Sequence, residues 1–428
     1  MMSDRRDLVR RATACLVCEG PIVPILDLGT QPLANALVES AGAPYAEYPL
    51  GLEWCPSCTH AQLSHFLDPS ILFEDYLYAS GTSGTLRAYF DWFSAALARS
   101  VPKDASILEL ASNDGSLLDS LRAQGFAPVG VDPARNLCDI ARAKGHPVLE
   151  GFFPDVRPDK PADVIIAMNV AAHTPHLRKF MAGVAASLAP DGVAIIQTSQ
   201  ALMIGNGEFD TIYHEHFSFY TVASMARLAE LSGLCLEAVQ LAAIHGTSFL
   251  FFLRPAASKA PAFVFEGEAR FALPWPDPAP AFLDCAFGGA EAKATYDRFA
   301  DAARGLMRDV ADRIAAHRAA GRQIGLIGVA AKALTFIRAA GLAPDAFFDE
   351  ADLKIGRFVP GAKTAIRPLH DVATLSGEWV LLIGAWNFAD ELSAKMARMR
   401  DGPAPGIRIL VHLPKLREYL LDDSLPSS

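Results

Sequence analysis

The sequence lacks any run of about 18 apolar residues, the length that a membrane-spanning helix needs. It also lacks a basic excess, because 38 Lys and Arg stand against 48 Asp and Glu and give a formal net charge of −10. Proteins that bind nucleic acid need a basic surface for the phosphates, so we expect no nucleic-acid partner. Residues 1–6 are charged and carry no apolar signal core. These absences predict a cytoplasmic protein without a membrane contact.

Cysteine is scarce, with seven in 428 residues. Four of them form two Cys-x-x-Cys pairs, Cys15 with Cys18 and Cys55 with Cys58. In a reducing compartment such pairs bind zinc as thiolates rather than form disulfides. Four cysteine ligands leave no coordination position for water, so the sequence predicts a structural Zn²⁺ ion. The long interval between the pairs indicates a small module clipped together by the metal.

Short apolar runs alternate with amphipathic stretches from residue 106 onward. This alternation is typical of a parallel sheet with helices on both faces and predicts the α/β class. Predicted strands are 107–110, 128–132, 164–168, 193–196, an antiparallel pair at 237–241 and 249–253, and then 324–328, 347–349, 379–383 and 407–411. Predicted helices are 86–98, 116–124, 134–144, 177–188, 290–320 and 331–340.

The length of the chain exceeds that of one ordinary domain. We predict a zinc-binding module at residues 10–68 and a cofactor-binding α/β domain at 69–253. A linker at 254–290 is predicted from its many Pro and Ala residues. A second α/β domain is predicted at 291–420.

An acidic turn joins the predicted strand 107–110 to the following helix. Its candidate ligand residues are Glu109, Ser112, Asn113, Asp114 and Gly115. A small residue and a glycine let the backbone approach a ligand closely, and the carboxylate of Glu109 lies nearby. The turn lacks the Gly-x-Gly-x-x-Gly pattern, which argues against a dinucleotide.

The next predicted strands add polar residues at the same edge. Asp132 ends one strand, where a carboxylate can accept hydrogen bonds from both ribose hydroxyls. An acidic strand end without phosphate-binding glycines suits S-adenosylmethionine, although capping acids in an ordinary turn are the alternative. Asn169 and His173 follow the strand 164–168 at the edge where open α/β sheets bind ligands. His173 either lines a substrate pocket or caps a loop.

Four polar residues lie side by side at Tyr213, His214, Glu215 and His216. A Tyr, a Glu and a His at this spacing can supply a proton acceptor, its orienting partner and a donor to a developing oxyanion. The combination predicts proton abstraction next to a carbonyl group, coupled to cofactor chemistry. The alternative is a polar loop packed under the sheet.

Together these motifs resemble the three-domain S-adenosylmethionine-dependent C-methyltransferases that act on nucleotide-linked deoxysugars. The resemblance covers almost the whole chain. Besides the paired cysteines it rests on Tyr76-x-Tyr78-x-Ser80, Glu109-x-x-Ser112-Asn113-Asp114-Gly115, Asn169-x-x-x-His173, Tyr213-His214-Glu215-His216, His245-Gly246, Lys354-x-Gly356, Pro360-Gly361 and Trp386-Asn387-Phe388-Ala389.

The resemblance implies a Rossmann-like methyltransferase core of class I, a small N-terminal zinc module and a C-terminal Rossmann-like domain. It implies a nucleotide-sugar substrate, a 4-keto-6-deoxyhexose. A base would remove the proton next to the ketone, and the enolate carbon would then take the methyl group of S-adenosylmethionine.

The resemblance also implies roles for individual residues. His216 is the expected base, Glu215 its orienting partner, and Tyr213 a donor or an alternative base, whereas His214 is expected to be structural. Implied substrate-binding residues are Tyr76, Tyr78, His173, His245 and Lys332. Implied cofactor-binding residues are Glu109, Ser112, Asn113, Asp114, Gly115, Asp132 and Asn169.

Two departures from the family pattern leave the acceptor open. Thr247 stands where the family usually has a second glycine, and Ala330 and Ala331 stand where glycine is common before Lys332. A different acceptor, such as a modified sugar or a carrier-bound keto compound, is therefore an alternative. A zinc-clipped ligand-binding protein without catalysis is another alternative. A further one is an NAD-dependent oxidoreductase, but the absence of the dinucleotide-binding glycines argues against it.

Overall fold

The computed structural model describes residues 9–68, 71–72, 84–199, 203–265, 267–268, 270–274, 292–399 and 406–421. The expected substrate residues Tyr76 and Tyr78 lie outside these ranges. The chain divides into two compact units that alternate along the sequence. The first comprises Met1–Pro24, Leu52–Leu202 and Glu215–Thr295, and the second comprises Ile25–Gly51, Met203–His214 and Tyr296–Ser428. The four domain ranges given above remain predictions.

The strands are numbered along the chain. They are β1 (Val9–Arg11), β2 (Val23–Pro32), β3 (Glu47–Trp54), β4 (Ala61–Leu63), β5 (His65–Leu67), β6 (Ile107–Leu110), β7 (Val129–Asp132), β8 (Val148–Glu150), β9 (Ala162–Met168), β10 (Leu188–Thr198), β11 (Ser218–Phe219), β12 (Leu234–Ala242), β13 (Ser248–Pro255), β14 (Ala272–Leu273), β15 (Gln323–Ile327), β16 (Ala346–Asp349), β17 (Ile366–Pro368), β18 (Trp379–Ile383), β19 (Ile407–Val411) and β20 (Arg417–Leu420).

The helices are numbered in the same way. They are α1 (Gly84–Ser100), α2 (Ser116–Ala123), α3 (Arg135–Ala143), α4 (Leu177–Ser187), α5 (Met203–Asn206), α6 (Val222–Leu231), α7 (Ala292–Ala319), α8 (Ala331–Ala339) and α9 (Ala389–Arg398). Short 3₁₀ helices include Ala171–His173, Phe209–Thr211 and Trp386–Phe388. None of the helices among the described residues combines the length and the apolar character that a transmembrane span requires.

An eight-stranded sheet forms the centre of the first unit, in the order β14-β12-β13-β10-β9-β6-β7-β8. Strands β10, β9, β6, β7 and β8 are parallel. Strand β13 runs antiparallel between β10 and β12, which confirms the predicted antiparallel pair. The α/β class is confirmed as well.

Side chains of neighbouring residues point to opposite faces of this sheet. Leu108, Ile165 and Ile196 belong to an apolar cluster that includes side chains of α4 and α6. Ile107 and Ile166 belong to another cluster, which includes side chains of α1 and α2. Helices therefore cover both faces, which leaves the carboxyl ends of the parallel strands as the free edge for a ligand.

Short strands surround the paired cysteines in the same unit. Strand β1 pairs with β5 in the antiparallel direction. Residues Leu52, Glu53 and Trp54 of β3 pair with β4, which also pairs with β11. The second Cys-x-x-Cys pair lies in the connection between β3 and β4, and the first follows β1.

The second unit has a six-stranded sheet in the order β17-β16-β15-β18-β19-β20. Its first five strands are parallel, and β20 is antiparallel to β19. Helix α8 follows β15, which lies between β16 and β18 in this sheet. The predicted strands at 324–328, 347–349, 379–383 and 407–411 are confirmed within one residue at each end.

The segment predicted to be an irregular linker differs from that expectation in its described residues. Ala272–Leu273 forms β14, which pairs with β12. The rings of Phe265 and Phe271 lie 5.8 and 5.7 Å from that of Trp92 in α1. The indole N–H of Trp92 also donates to the carbonyl oxygen of Glu268 at 2.9 Å. Because its phenylalanines cover α1, this part of the segment adds to the core, which the Pro content did not indicate.

Candidate active site

The four predicted zinc ligands lie together in the first unit. Their Sγ atoms all lie within 4.8 Å of one another, and the Cys15–Cys58 and Cys18–Cys55 distances are both 3.5 Å. Tetrahedral zinc with Zn–S bonds of about 2.3 Å places its ligands roughly 3.8 Å apart, so this cluster fits the ion. Among the described residues, no other group of three or more Cys, His, Asp or Glu is arranged to bind a metal.

Both cysteine pairs fold into the same turn. In each, the N–H of the first cysteine donates to the carbonyl oxygen five residues later, at 3.0 and 2.8 Å. The residue after the second cysteine, Glu19 or Thr59, has a left-handed backbone with φ of 59° or 61°. Gln62 fixes the first turn, because its Oε1 accepts from the N–H of Leu16 at 2.7 Å and its Nε2 donates to Ala14 O at 3.1 Å. The cysteine spacing gave no signal for Gln62.

The acidic turn after β6 is tied to the end of β7. The N–H of Asn113 donates to Oδ2 of Asp132, and the N–H of Ala134 donates to Oδ1, both at 2.8 Å. Asn113 and Gly115 have positive φ values of 52° and 77°. A Cβ at Gly115 would also lie 3.0 Å from the Cβ of Ala141. The predicted residues of β6 and β7 are therefore brought together, and position 115 requires glycine.

Several buried polar atoms at this edge have no hydrogen-bond partner among the described residues. They are Oε2 of Glu109, Oγ of Ser112, Oδ1 of Asn169 and Oγ1 of Thr198. They lie at or just after the carboxyl ends of the neighbouring strands β6, β9 and β10. Buried polar atoms are nearly always hydrogen-bonded, so this edge fits a ligand rich in hydroxyl, amino and carboxylate groups, such as S-adenosylmethionine. Thr198 carries no signal in the sequence, because a threonine at a strand end is common.

Asp114 makes its visible contacts within the protein. Its Oδ1 accepts from the N–H of Ser116 at 3.2 Å and from the hydroxyl of Ser116 at 2.7 Å. Nζ of Lys144 donates to the carbonyl oxygen of Asp114 at 2.7 Å. These bonds shape the start of α2, so Asp114 has a structural task in the turn.

The edge is electrostatically suited to a cation. Burial raises the pKa of Glu109 well above its ordinary value of 4.5, and the charges of Asp132 and Asp114 raise this pKa further. Burial also raises the pKa of Asp132, against the opposing effect of the N–H donors of Ala134 and Asn113. A positively charged ligand relieves the repulsion among these carboxylates. The sulfonium and ammonium groups of S-adenosylmethionine meet that requirement.

The structure brings His173 and His216 together in the first unit. Their ring centroids lie 4.9 Å apart, with the ring planes at 72°. The backbone N–H of Phe217 donates to Ala172 O at 2.7 Å, which fixes the segment after His216 onto the 3₁₀ helix Ala171–His173. Because Asn169 precedes this helix, the histidine pair is held next to the cofactor edge.

Burial sets the protonation of His173. Its pKa is lowered to about 4 by burial, which the backbone of Glu215 opposes only in part. The imidazole is therefore neutral at pH 7 and can donate or accept a hydrogen bond. Glu215 and His216 are both 5% exposed, so each lies in a desolvated site.

The neighbouring residues Tyr213 and His214 belong to the second unit. Along the sequence, the segment of the second unit ends at His214, and a segment of the first unit begins at Glu215. The Nε2 of His214 donates to the carbonyl oxygen of Tyr48 at 3.2 Å. This contact gives His214 the structural partner that the sequence analysis expected. Tyr213 is half-buried.

Two further predicted substrate residues occupy distinct settings. His245 in the first unit has a φ of 55° and begins the turn between β12 and β13. Lys332 in the second unit is the second residue of α8. Its Nζ lies 4.0 Å from Oε2 of Glu208 and 5.0 Å from the ring centroid of Trp386.

A buried polar chain supports the first unit's site and was missed by the sequence analysis. The Tyr89 hydroxyl donates to Oε1 of Gln197 at 2.9 Å, and Nε2 of Gln197 donates to Oγ of Ser248 at 3.2 Å. Ser248 donates onward to Ile244 O at 3.0 Å. The carbonyl oxygen of Gln197 accepts from the N–H of Asn169 at 3.1 Å. Gln197 therefore links Asn169 with the turn that carries His245.

Three family models match successive parts of the chain. A zinc-binding domain matches residues 15–73, a methyltransferase domain 82–239, and a C-methyltransferase C-terminal domain 286–414. The C-methyltransferase NovU of Streptomyces niveus is 28% identical over 435 residues, which cover 98% of this chain and 100% of NovU. A ubiquinone biosynthesis O-methyltransferase of Rickettsia bellii is 28% identical over 101 residues, 22% of this chain and 42% of that protein.

A solved S-adenosylmethionine-dependent methyltransferase from Clostridium acetobutylicum is 14% identical, covers 39% of this chain and 91% of its own, and has a TM-score of 0.32. The family models and the four-cysteine cluster confirm the predicted cofactors, S-adenosylmethionine and structural zinc. The chain is thus an enzyme, an S-adenosylmethionine-dependent C-methyltransferase that combines a zinc-binding domain, a methyltransferase domain and a C-methyltransferase C-terminal domain.

Proposed function

We propose that the enzyme methylates the carbon next to the ketone of a nucleotide-linked 4-keto-6-deoxy sugar. The main support is the pair His173 and His216, whose rings lie 4.9 Å apart beside the buried polar edge described above. The whole-length relative NovU is a C-methyltransferase, which favours carbon as the acceptor atom. The sugar itself is inferred from the motifs that resemble the deoxysugar enzymes.

A carbon acceptor must lose a proton before it can form a new bond to a methyl group. The hydrogen next to a ketone is acidic enough for an imidazole if donors stabilise the enolate oxygen. We assign the base to His216 and its orientation to Glu215. His173 is the weaker candidate, because a pKa of about 4 makes it a poor proton acceptor at neutral pH.

The electron pair of the broken C–H bond moves into the enolate, so negative charge collects on the ketone oxygen. Tyr213 is the group that we assign to donate a hydrogen bond there, and His173 is assigned to bind the substrate. When bound, S-adenosylmethionine supplies a methyl group on a positively charged sulfur. Its proposed binding residues are those at the buried edge: Glu109, Ser112, Asn113, Asp114, Gly115, Asp132 and Asn169.

The nucleotide part of the substrate needs a cationic partner. We assign its diphosphate to Lys332, which is the second residue of α8, and the dipole of a helix favours anions near its N-terminus. The Nζ is 4.0 Å from Glu208, so the lysine is only partly neutralised. His245, Tyr76 and Tyr78 complete the proposed substrate set.

The test compares two acceptors that differ in the ketone. Purified enzyme with S-adenosylmethionine is incubated with thymidine-diphosphate 4-keto-6-deoxyglucose or with thymidine-diphosphate glucose, and the products are weighed by mass spectrometry. We expect one added methyl group on the keto sugar and none on glucose. No methylation of either acceptor by an enzyme that binds S-adenosylmethionine would refute the sugar assignment and favour a different keto acceptor.

A further inference from the structure

A buried carboxylate in the second unit has a task that the proposed chemistry does not use. Asp210 lies in the 3₁₀ helix Phe209–Thr211, and its side chain is 0% exposed. The indole N–H of Trp386 donates to Oδ2 of Asp210 at 2.7 Å. The Nε2 of His412, also fully buried, lies 3.6 Å from the same oxygen. Residues far apart in sequence therefore meet at this carboxylate.

Aromatic rings also hold the same segment. The ring of Phe209 lies 5.6 Å from that of Phe336 in α8. Phe336 in turn stacks on His412 with a centroid distance of 3.9 Å. The segment is thus attached to α8, to the residue after β19 and to the 3₁₀ helix after β18.

Apolar packing alone would not require a charge at Asp210. Burying a carboxylate is costly unless partners compensate it. Burial would raise the pKa of Asp210, but His412 and Lys332 outweigh it and hold the pKa below its ordinary value. The carboxylate therefore stays ionised at neutral pH and accepts a strong, directional hydrogen bond from Trp386.

A second fixed point lies four residues further along. His214 donates to the carbonyl oxygen of Tyr48 at 3.2 Å. Tyr213 stands between this contact and Asp210, so its backbone is restrained on both sides. A donor to a developing oxyanion must be positioned closely, since a displacement of about 1 Å can cost roughly a hundredfold in rate.

We propose that Trp386 and Asp210 form an anchor that fixes the segment 203–214 and are positioning residues for Tyr213. The proposal of a catalytic effect rests on the function proposed for Tyr213. The anchor itself can be tested without any substrate.

Hydrogen–deuterium exchange tests the anchor directly, because it measures how well the backbone of residues 203–216 is protected. We expect Trp386→Phe to raise deuterium uptake there while peptides of β15 and β18 stay as in the wild type. Trp379→Phe is the matched control, because Trp379 is equally buried in the same unit and donates to Ser376 O at 3.0 Å. Asp210→Asn keeps an acceptor for Trp386 and should retain most of the protection that Asp210→Ala loses. Unchanged uptake at 203–216 in folded Trp386→Phe and Asp210→Ala would overturn the anchor.

A double-mutant cycle then tests whether Trp386 acts on catalysis through the position of Tyr213. On the keto sugar we expect Trp386→Phe to lower kcat by about tenfold or more, with unchanged affinity for S-adenosylmethionine. In a Tyr213→Phe background the same substitution should have little further effect. Additive effects would show that Trp386 does not act through Tyr213. Full activity of Tyr213→Phe would instead remove Tyr213 from the proposed function, and the exchange result for the anchor would still stand.

Discussion

The backbone N–H of Asn113 donates to Oδ2 of Asp132 at 2.8 Å and so joins the turn after β6 to the end of β7. A second backbone N–H, from Ala134, reaches Oδ1 at the same distance. Both carboxylate oxygens are thereby oriented by the main chain, and each keeps lone pairs for a ligand. The Asp132 carboxylate thus shapes the turn and can also bind the cofactor.

Asp132→Asn should weaken the binding of S-adenosylmethionine. An amide NH₂ would face one of the two N–H donors, and losing that hydrogen bond costs about 1–3 kcal/mol. Calorimetry should show an affinity loss of roughly tenfold or more. Asp163→Asn is the matched control, because Asp163 accepts two hydrogen bonds from Ser106 at the start of β9. Equal affinity losses in both variants would contradict the assignment of Asp132.

Glu109→Gln should stabilise the cofactor-free protein at pH 8 and weaken its binding of S-adenosylmethionine. The folded-state pKa of Glu109 is raised above 4.5, so its favourable contribution is fully present below the unfolded value. That contribution is lost as the pH rises through the folded pKa. The advantage of the variant should therefore grow from pH 4.5 upward.

The Tm of the variant and of the wild type, measured at pH 5 and at pH 8, tests this prediction. A difference of 1 kcal/mol in the free energy of unfolding shifts Tm by about 2–4 °C. Glu150→Gln, at the exposed end of β8 in the same sheet, serves as the control. A Glu109→Gln protein less stable than the wild type at pH 8 would contradict the burial argument.

The zinc site should depend on Gln62 as well as on the cysteines. Gln62→Leu removes both hydrogen bonds that fix the first cysteine turn. Losing such support commonly costs about 10–100-fold in metal affinity. Competition with a chromogenic chelator measures the loss, and Gln31→Leu provides a control with another buried glutamine bonded to a backbone carbonyl. Unaltered zinc affinity in Gln62→Leu would show that the turn holds without it.

The sequence predicted the elements that local pattern controls. Most strands and helices begin and end within a few residues of the predicted limits, because apolar periodicity and turn residues decide them. The cysteine cluster followed from spacing and ligand chemistry. The acidic edge followed from carboxylates at strand ends, which parallel strands bring to one side.

Contacts between distant residues were not predictable. Asp210 meets Trp386 across 176 positions, and no local pattern marks either as a partner. The assignment of Met203–His214 to the second unit depends on such contacts. Thr198 and Gln197 resemble ordinary strand residues until their neighbours are known. Even so, the motif that carries Glu215 and His216 was apparent, because polar residues seldom gather in an apolar stretch.

The central claim is that His216 removes the proton next to a ketone. Its most direct test is mass spectrometry of thymidine-diphosphate 4-keto-6-deoxyglucose in deuterated water, without methyl donor and against an enzyme-free control. The account predicts that the wild type introduces one deuterium beside the ketone and that S-adenosylmethionine converts the sugar to a singly methylated product. His216→Gln should lose both signals, while His370→Gln, which alters a histidine whose side chain is 74% exposed, should retain them. Deuterium entry or methylation that survives in His216→Gln would contradict the account.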